Sequence, residues 1–204
     1  MPLSKLPAKS GRGRATRQLI IERSAAVFNQ HGYAGTSMSE LMAATGLEKG
    51  GLYRHFKSKQ SLAAAAFDYA WETVRAPRQR GLDDCNSFLD KLVLYVRNFV
   101  EEAPANLPGG CPLLNTAVDS DDGNALIRAR VRAALGQWRS TLAGFVRRGQ
   151  TSGEVRGEID PDTVAVIMIS ALEGAVMMSR LERTREPLHR VGEHLESYLR
   201  GLRG

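Results

Sequence analysis

Between residues 49 and 59 the chain reads Lys49-Gly50-Gly51-Leu52-Tyr53-Arg54-His55-Phe56-Lys57-Ser58-Lys59. Lys49, Tyr53 and His55 can each donate a hydrogen bond to an anionic oxygen. Lys59 opens a helix, where a cation and free backbone amides together favour phosphate. Lys49 can also reach a guanine edge. Gly50 and Gly51 cost a helix about 1 kcal/mol each against alanine, but their bare backbone can approach a polyanion closely. Leu52 and Phe56, four apart, read as core together with Leu47. A plainer reading stays open for three of these residues: Tyr53 as packing, and His55 and Lys57 as solvated surface.

A second distinctive segment is Gly109-Gly110-Cys111-Pro112-Leu113-Leu114-Asn115. A thiol at a helix start, beside exposed amides, is expected to have a lowered pKa. The alternative is that Cys111 is a small buried hydrophobe. Cys85 lacks such a context and reads as structural. Two cysteines outside any CxxC pair give neither a disulfide framework nor a zinc site. His189 and His194, five apart, do not share a helix face as a metal pair would. With no hydrolase, zincin, Walker or dinucleotide fingerprint, no catalytic role, metal or cofactor is expected.

The net charge of +6 is unevenly placed. Residues 1–60 hold 10 Lys and Arg against 3 Asp and Glu, whereas residues 61–204 hold 18 against 19. A basic segment on a neutral carrier points to a polyanion partner, or more plainly to a soluble basic tail. Residues 1–18 lack the apolar core of a signal peptide. No apolar run approaches the ~18 residues of a membrane span. A cytoplasmic protein without a membrane partner is expected.

The elements that must position these groups are helical, since no β-alternation persists. Residues 1–14 read as a flexible basic arm, with Lys5, Lys9, Arg12 and Arg14. A helix over 16–31 carries the stripe Ile20, Ile21, Ser24, Ala25 and Phe28, and Gly32 stops it. Ser37-Met38-Ser39-Glu40 is a capping box that opens a helix over 37–44. Thr45-Gly46-Leu47 turns into a short helix over 49–56, and Ser58 caps another over 59–75, broken by Pro77. Longer helices follow over 83–102, 111–119, 123–150, 161–184 and 187–203. Two short helices joined by a glycine turn form a helix-turn-helix unit, with Leu41 and Ala44 before the turn.

Residues 16–60 resemble the TetR repressor family. The resemblance rests on Thr16-Arg17, Phe28, Gly32-Tyr33, Thr36-Ser37, Ala43 through Leu47, the 49–59 segment and Leu62. Two positions depart from the family pattern. Glu48 stands where Ser or Thr usually caps the recognition helix, and Gly51 where a hydroxyl is common. The resemblance implies an all-α chain in three parts: the arm at 1–14, a helix-turn-helix DNA-binding domain at 15–60, and a helical effector-binding and dimerisation domain at 61–204. The implied DNA-binding residues are Thr36, Ser37, Lys49, Gly50, Gly51, Tyr53, His55 and Lys59, facing a double-stranded operator.

The body raises two further expectations. Helix 161–184 is apolar nearly all round and must be buried on two sides, so a second subunit is the natural partner. Leu188, Val191, Leu195, Tyr198 and Leu202 recur at i+3 and i+4 as a seam. The family implies a homodimer joined through these two helices, with Leu172, Val176, Leu188, Val191, Leu195, Tyr198 and Leu202 at the interface. It also implies a small-molecule effector between the helices, lined by Cys111, Leu114, Asn115, Val118, Trp138, Met168, Glu173 and Met177. The expected function is a transcriptional regulator, a repressor by the family's usual mode, released from a palindromic operator by that effector. Two alternatives stay open: an electrophile or redox sensor using Cys111, and a non-specific DNA-binding protein.

Overall fold

The computed structural model describes residues 9–102, 108–120 and 124–204. Among these residues the chain is all-α, and its one β-like contact is an isolated bridge between Val155 and Arg203. The helices are α1 (Lys9–Gly35), α2 (Met38–Thr45), α3 (Lys49–His55), α4 (Lys59–Arg78), α5 (Phe88–Glu102), α6 (Pro112–Ser120), α7 (Ala125–Thr151), α8 (Pro161–Glu182) and α9 (Glu186–Arg200).

The N-terminal unit is organised by local signals. Gly32 leaves helical geometry at φ 72° and ends the regular part of α1. The capping box is present: Glu40 N–H donates to Ser37 Oγ at 3.1 Å, and Ser37 N–H donates to Glu40 Oε2 at 2.6 Å. These bonds, with a 2.8 Å contact to His31, hold the Glu40 carboxyl down at about 2. Gly46 closes α2 in the left-handed region and donates to Met42 O. Glu48 occupies the cap position of α3 without a side-chain bond to it. Ile20, Ile21, Leu41, Leu52, Phe56 and Leu62 form the core of this unit.

The body packs α4 to α9 around a second, larger core. Leu89, Leu92, Val96 and Phe99 supply one face of α5. Asn124 caps α7 through Leu126 N and Ile127 N, and Asp160 caps α8 just before Pro161. α4 enters both cores, with Leu62 in the first and Phe67 and Trp71 in the second.

Several expected boundaries move. The first helix begins at Lys9, so the basic stretch 9–14 is helical; residues 1–8 lie outside the described residues. Pro77 does not break α4, which runs to Arg78. Pro77 costs α4 its bond to the Thr73 carbonyl, and the helix ends one residue later. α5 begins at Phe88 because Gly81, at φ 74°, starts a separate 3₁₀ turn over Leu82–Asp84, leaving Cys85 in the connection. α9 stops at Arg200 because the tail turns back, with Arg156 N–H donating to Leu202 O at 3.1 Å and Gly204 N–H to Glu154 O at 3.1 Å.

The largest correction concerns the expected interface. Leu172, Val176, Leu188, Leu195 and Leu202 are all buried in the chain's own core, and Val191 and Tyr198 pack against it. The five buried leucine and valine side chains therefore have no surface left for a partner, whereas Val191 and Tyr198 are half-buried. The apolar side chains left in solvent lie on the opposite side of α8: Val166, Ile167, Met177, Met178 and Leu181, the last 83% exposed. The pairs 166/167 and 177/178 lie 11 residues, about three turns, apart, and Leu181 follows one turn on, so they make one stripe. α8 is long and apolar enough to cross a membrane, but half of it is buried inside this core.

A cap is a local feature with a known magnitude. Ser37→Ala should destabilise the protein by about 1 kcal/mol. Glu48→Ser should stabilise it by about 0.5–2 kcal/mol, by supplying the missing cap. Chemical denaturation of the two variants checks both signs, and a Glu48→Ser variant no more stable than wild type would contradict the reading.

Candidate nucleic-acid interface and buried polar cluster

α3 is anchored by Leu52 and followed by the buried Phe56, which fixes its rotation. Residues roughly opposite Leu52 must then point outward. Lys49 and Gly50 are exposed, and so are Tyr53 at 43% and Arg54 one turn further on. A Cβ at Gly50 would meet nothing within 4 Å, so that backbone is open to a close-lying partner. Gly51 is half-buried over Leu47, and His55 is half-buried at the helix end. Arg54 was missed in the sequence because no motif marks it. Its signal is the i+4 spacing from Gly50 once Leu52 is known to point inward.

Two expected contact residues face elsewhere. Thr36 is 1% exposed, and its Oγ1 donates to Gly32 O at 2.6 Å. Its hydroxyl helps close the turn after α1 and is not presented outward. Lys59 Nζ donates to Tyr33 O at 2.6 Å and lies 4.5 Å from the centre of the Tyr33 ring. That lysine ties α4 to α1, whereas a free phosphate donor would point outward. Ser37 is exposed, and its Oγ accepts the cap bond, leaving its proton available to a partner. Arg23 reaches Ala44 O and Thr45 O, at 3.3 Å each, and places a cation at the C-terminus of α2.

The N-terminal unit meets α6 through a polar seam. Asp119 Oδ2 accepts from Tyr33 N–H at 2.6 Å, and a Cβ at Gly32 would come within 2.6 Å of Asp119 Oδ1. Asn29 Nδ2 donates to Pro108 O at 2.8 Å and Gly110 O at 3.0 Å. Asn115 Nδ2 donates to Asn29 O at 3.1 Å and Gly109 O at 2.7 Å. Asn115, expected to line an effector site, therefore belongs to this joint. The cleft beside it, between α1, α4 and α6, holds about 30 Å³. That is room for about one water and no effector.

Deeper in the body lies a buried polar cluster. Arg78, the last residue of α4, is 3% exposed. Its guanidinium carbon stands 4.1 Å from the Phe99 ring centre, 5.1 Å from Trp138 and 5.6 Å from Trp71. Tyr95, close to Arg78, has its hydroxyl pushed up to about 12 by burial. Glu173, on α8 and 7% exposed, has its carboxyl pKa raised by burial. Cys111 lies beside it, and burial first, then Glu173, pushes the thiol up to about 12. The lowered pKa expected of Cys111 is thus overturned: desolvation of a fully enclosed thiol outweighs the nearby amides.

Of the expected effector liners, Cys111, Trp138 and Glu173 come together here. Met168 and Leu114 are packing in or against the same core. Val118 is 74% exposed and Met177 is in solvent, so neither lines an interior site in this chain. Sequence reasoning missed Trp71, Arg78, Tyr95 and Phe99. Arg78 lies beyond Pro77, the residue expected to break the helix.

Residues 20–66 match the profile of the bacterial regulatory proteins of the tetR family, and residues 87–195 that of the tetracyclin repressor-like C-terminal domain. A TetR transcriptional regulator from Chloroflexus aurantiacus J-10-FL is 45% identical and superposes with a TM-score of 0.90, over 95% of this chain and 98% of that one. A TetR-family transcriptional regulator from Cytophaga hutchinsonii is 34% identical with a TM-score of 0.86, over 100% and 98%. The HTH-type transcriptional repressor DhaR of Mycobacterium sp. (strain GP1) is 27% identical over 173 residues, covering 84% of this chain and 86% of that protein.

A thiol this enclosed should be inert. Iodoacetamide at neutral pH should leave Cys111 unmodified in the folded protein and alkylate it on unfolding, as read by peptide mass spectrometry. Rapid modification of native Cys111 would contradict its placement.

Proposed function

The chain belongs to the TetR family of bacterial regulatory proteins and is a DNA-binding transcriptional regulator, and we propose that it acts as a cytoplasmic homodimeric repressor, released from a two-fold symmetric operator by a reversibly bound small molecule. The observation that carries this reading is the outward face of α3. Lys49, Gly50, Tyr53 and Arg54 stand clear of the core on the part of the chain that holds the positive charge. A recognition helix meets base edges with its N-terminal residues, here Lys49 and Gly50. Tyr53, Arg54, His55 and Ser37 suit the phosphates on either side, which fix register without reading sequence.

The dimer is assigned to the exposed stripe of α8, where Val166, Ile167, Met177, Met178 and Leu181 await cover. α9 lies alongside α8 and presents a charged outer face for the rim of that contact. This arrangement favours a symmetric regulator over an architectural DNA-coating protein, because two recognition helices held at one distance select one spacing of half-sites.

A reversible ligand is preferred to an electrophile because Cys111 is enclosed and its thiol is held protonated. The effector would favour a subunit arrangement whose recognition helices no longer fit the half-sites, so effector and operator must oppose each other reciprocally.

Two sets of variants test this. Lys49→Ala with Arg54→Ala should weaken DNA binding and lower its log–log salt slope by about 1 for each phosphate no longer engaged. Thr36→Ser should leave that slope unchanged. Unaltered affinity and slope in the double variant would refute the assigned face. Met177→Glu with Leu181→Glu should give monomers in sedimentation velocity with helicity retained; an intact dimer would refute the assigned interface.

A further inference from the structure

The larger core holds a cation, Arg78, that makes no ion pair among the described residues. Arg78 Nη1 has no hydrogen-bond partner, and neither does the indole N–H of Trp71 or of Trp138. Both carboxyl oxygens of Glu173 are likewise without a partner of regular geometry, although the Cys111 thiol lies close by. Arg78 and Glu173 influence each other across the cluster but form no ion pair among the described residues. The hydroxyl of Tyr95, close to Arg78, carries no charge to offset it.

Such an arrangement is expensive. Each buried polar atom left unpaired is costly, and more so where it is charged. An apolar side chain at position 78 or 173 would avoid the whole penalty, as would a direct two-point bond between the two residues. The described groups offer three unpartnered N–H donors, one of them on a cation, and aromatic faces around them. The Trp71 and Trp138 rings are 5.6 Å apart, and Phe99 stacks on Trp138 at 6.0 Å. What the cluster lacks is an anion with several acceptor lone pairs and an apolar body.

We propose that this cluster is the recognition site of the effector and that the effector is a small organic carboxylate. The inference rests on the effector-release reading above and names the ligand's chemistry. The carboxylate oxygens accept from Arg78 and from the indole N–H groups, and the carbon skeleton lies against the rings of Phe99, Trp138 and Trp71. Glu173 faces the ligand from α8, and in its protonated form it donates to a ligand oxygen and adds no repelling charge. A buried, ring-lined cluster suits a monoanion with an apolar skeleton better than inorganic phosphate, whose heavier hydration would have to be removed.

The chain's two tryptophans are Trp71 and Trp138, so intrinsic fluorescence reports on this cluster alone. The full-length protein is titrated with propionate, benzoate and cyclohexanecarboxylate, with their neutral amides, and with inorganic phosphate, while operator release is followed in parallel. A saturable tryptophan response is expected for at least one carboxylate, about tenfold or more weaker for its amide. Arg78→Met should abolish the response, and Glu173→Gln should preserve the preference for carboxylate over amide. If Arg78→Met fails to fold, the carboxylate–amide comparison on wild type decides. Equal responses to acid and amide, a response to phosphate as strong as to any carboxylate, or no response to any carboxylate would overturn the proposal. Carboxylate binding without operator release would instead contradict the effector reading and leave the site standing.

Discussion

Helix α4 is packed into two cores at once, and the rest of the molecule is arranged around that double membership. Its first turn buries Leu62 against Ile20, Ile21, Leu41, Leu52 and Phe56. Its middle buries Phe67 and Trp71 in the larger core, and its last residue is the enclosed Arg78. The 20 residues of α4 form a rod of about 30 Å. A rod fixed at both ends by close-packed side chains does not flex piecemeal, so a change at the Arg78 end is felt at the Lys59 end. There Lys59 is bonded to Tyr33 O, and Ser58 caps the helix just after α3. A second strut runs from α6 through Asp119 to the amide of Tyr33, beside the left-handed Gly32 that leaves room for it. The DNA-facing helix is thus tied to the body indirectly: Leu52 shares a core with Leu62 of α4, and α6 braces the α1 side of that core.

Under the proposed effector release, this double membership of α4 is the route by which the body would govern DNA binding. The buried cluster is the least satisfied part of the protein, and a poorly satisfied core is where a ligand can alter the balance between two packings. Many polar groups elsewhere are met: caps at Ser37, Ser58, Asn124 and Asp160, and the Asn29–Asn115 seam. Among the described residues five of the seven buried unpartnered side-chain atoms belong to the cluster; the hydroxyls of Ser24 and Ser179 are the other two.

What could be read in the sequence was local. The capping box at Ser37 and Glu40, the turn at Gly46 and the core anchors Leu52 and Phe56 depend on residues a turn or less apart, and all stand as the spacing implied. What could not be read was rotation and distant pairing. α8 is apolar on nearly every side, so its periodicity carried no phase. Leu172 and Val176 face inward, leaving Met177, Met178 and Leu181 as the open stripe. Lys59 and Thr36 have side chains that suit phosphate, but their partners, Tyr33 O and Gly32 O, come within reach only when the chain folds. Arg78 was hidden by Pro77, a breaker by type and an ordinary last-turn residue by position.

Two α3 helices, joined to the body through the core they share with α4 and paired through α8, would read DNA at one fixed spacing. Selecting bound duplexes from a random pool with the full-length protein and sequencing them tests this directly, with no operator assumed. The account predicts a two-fold symmetric motif whose half-sites are separated by a constant distance, centred about 34 Å or a multiple of it apart. Recovery of isolated half-sites, of half-sites at variable separation, or of no motif at all would contradict it.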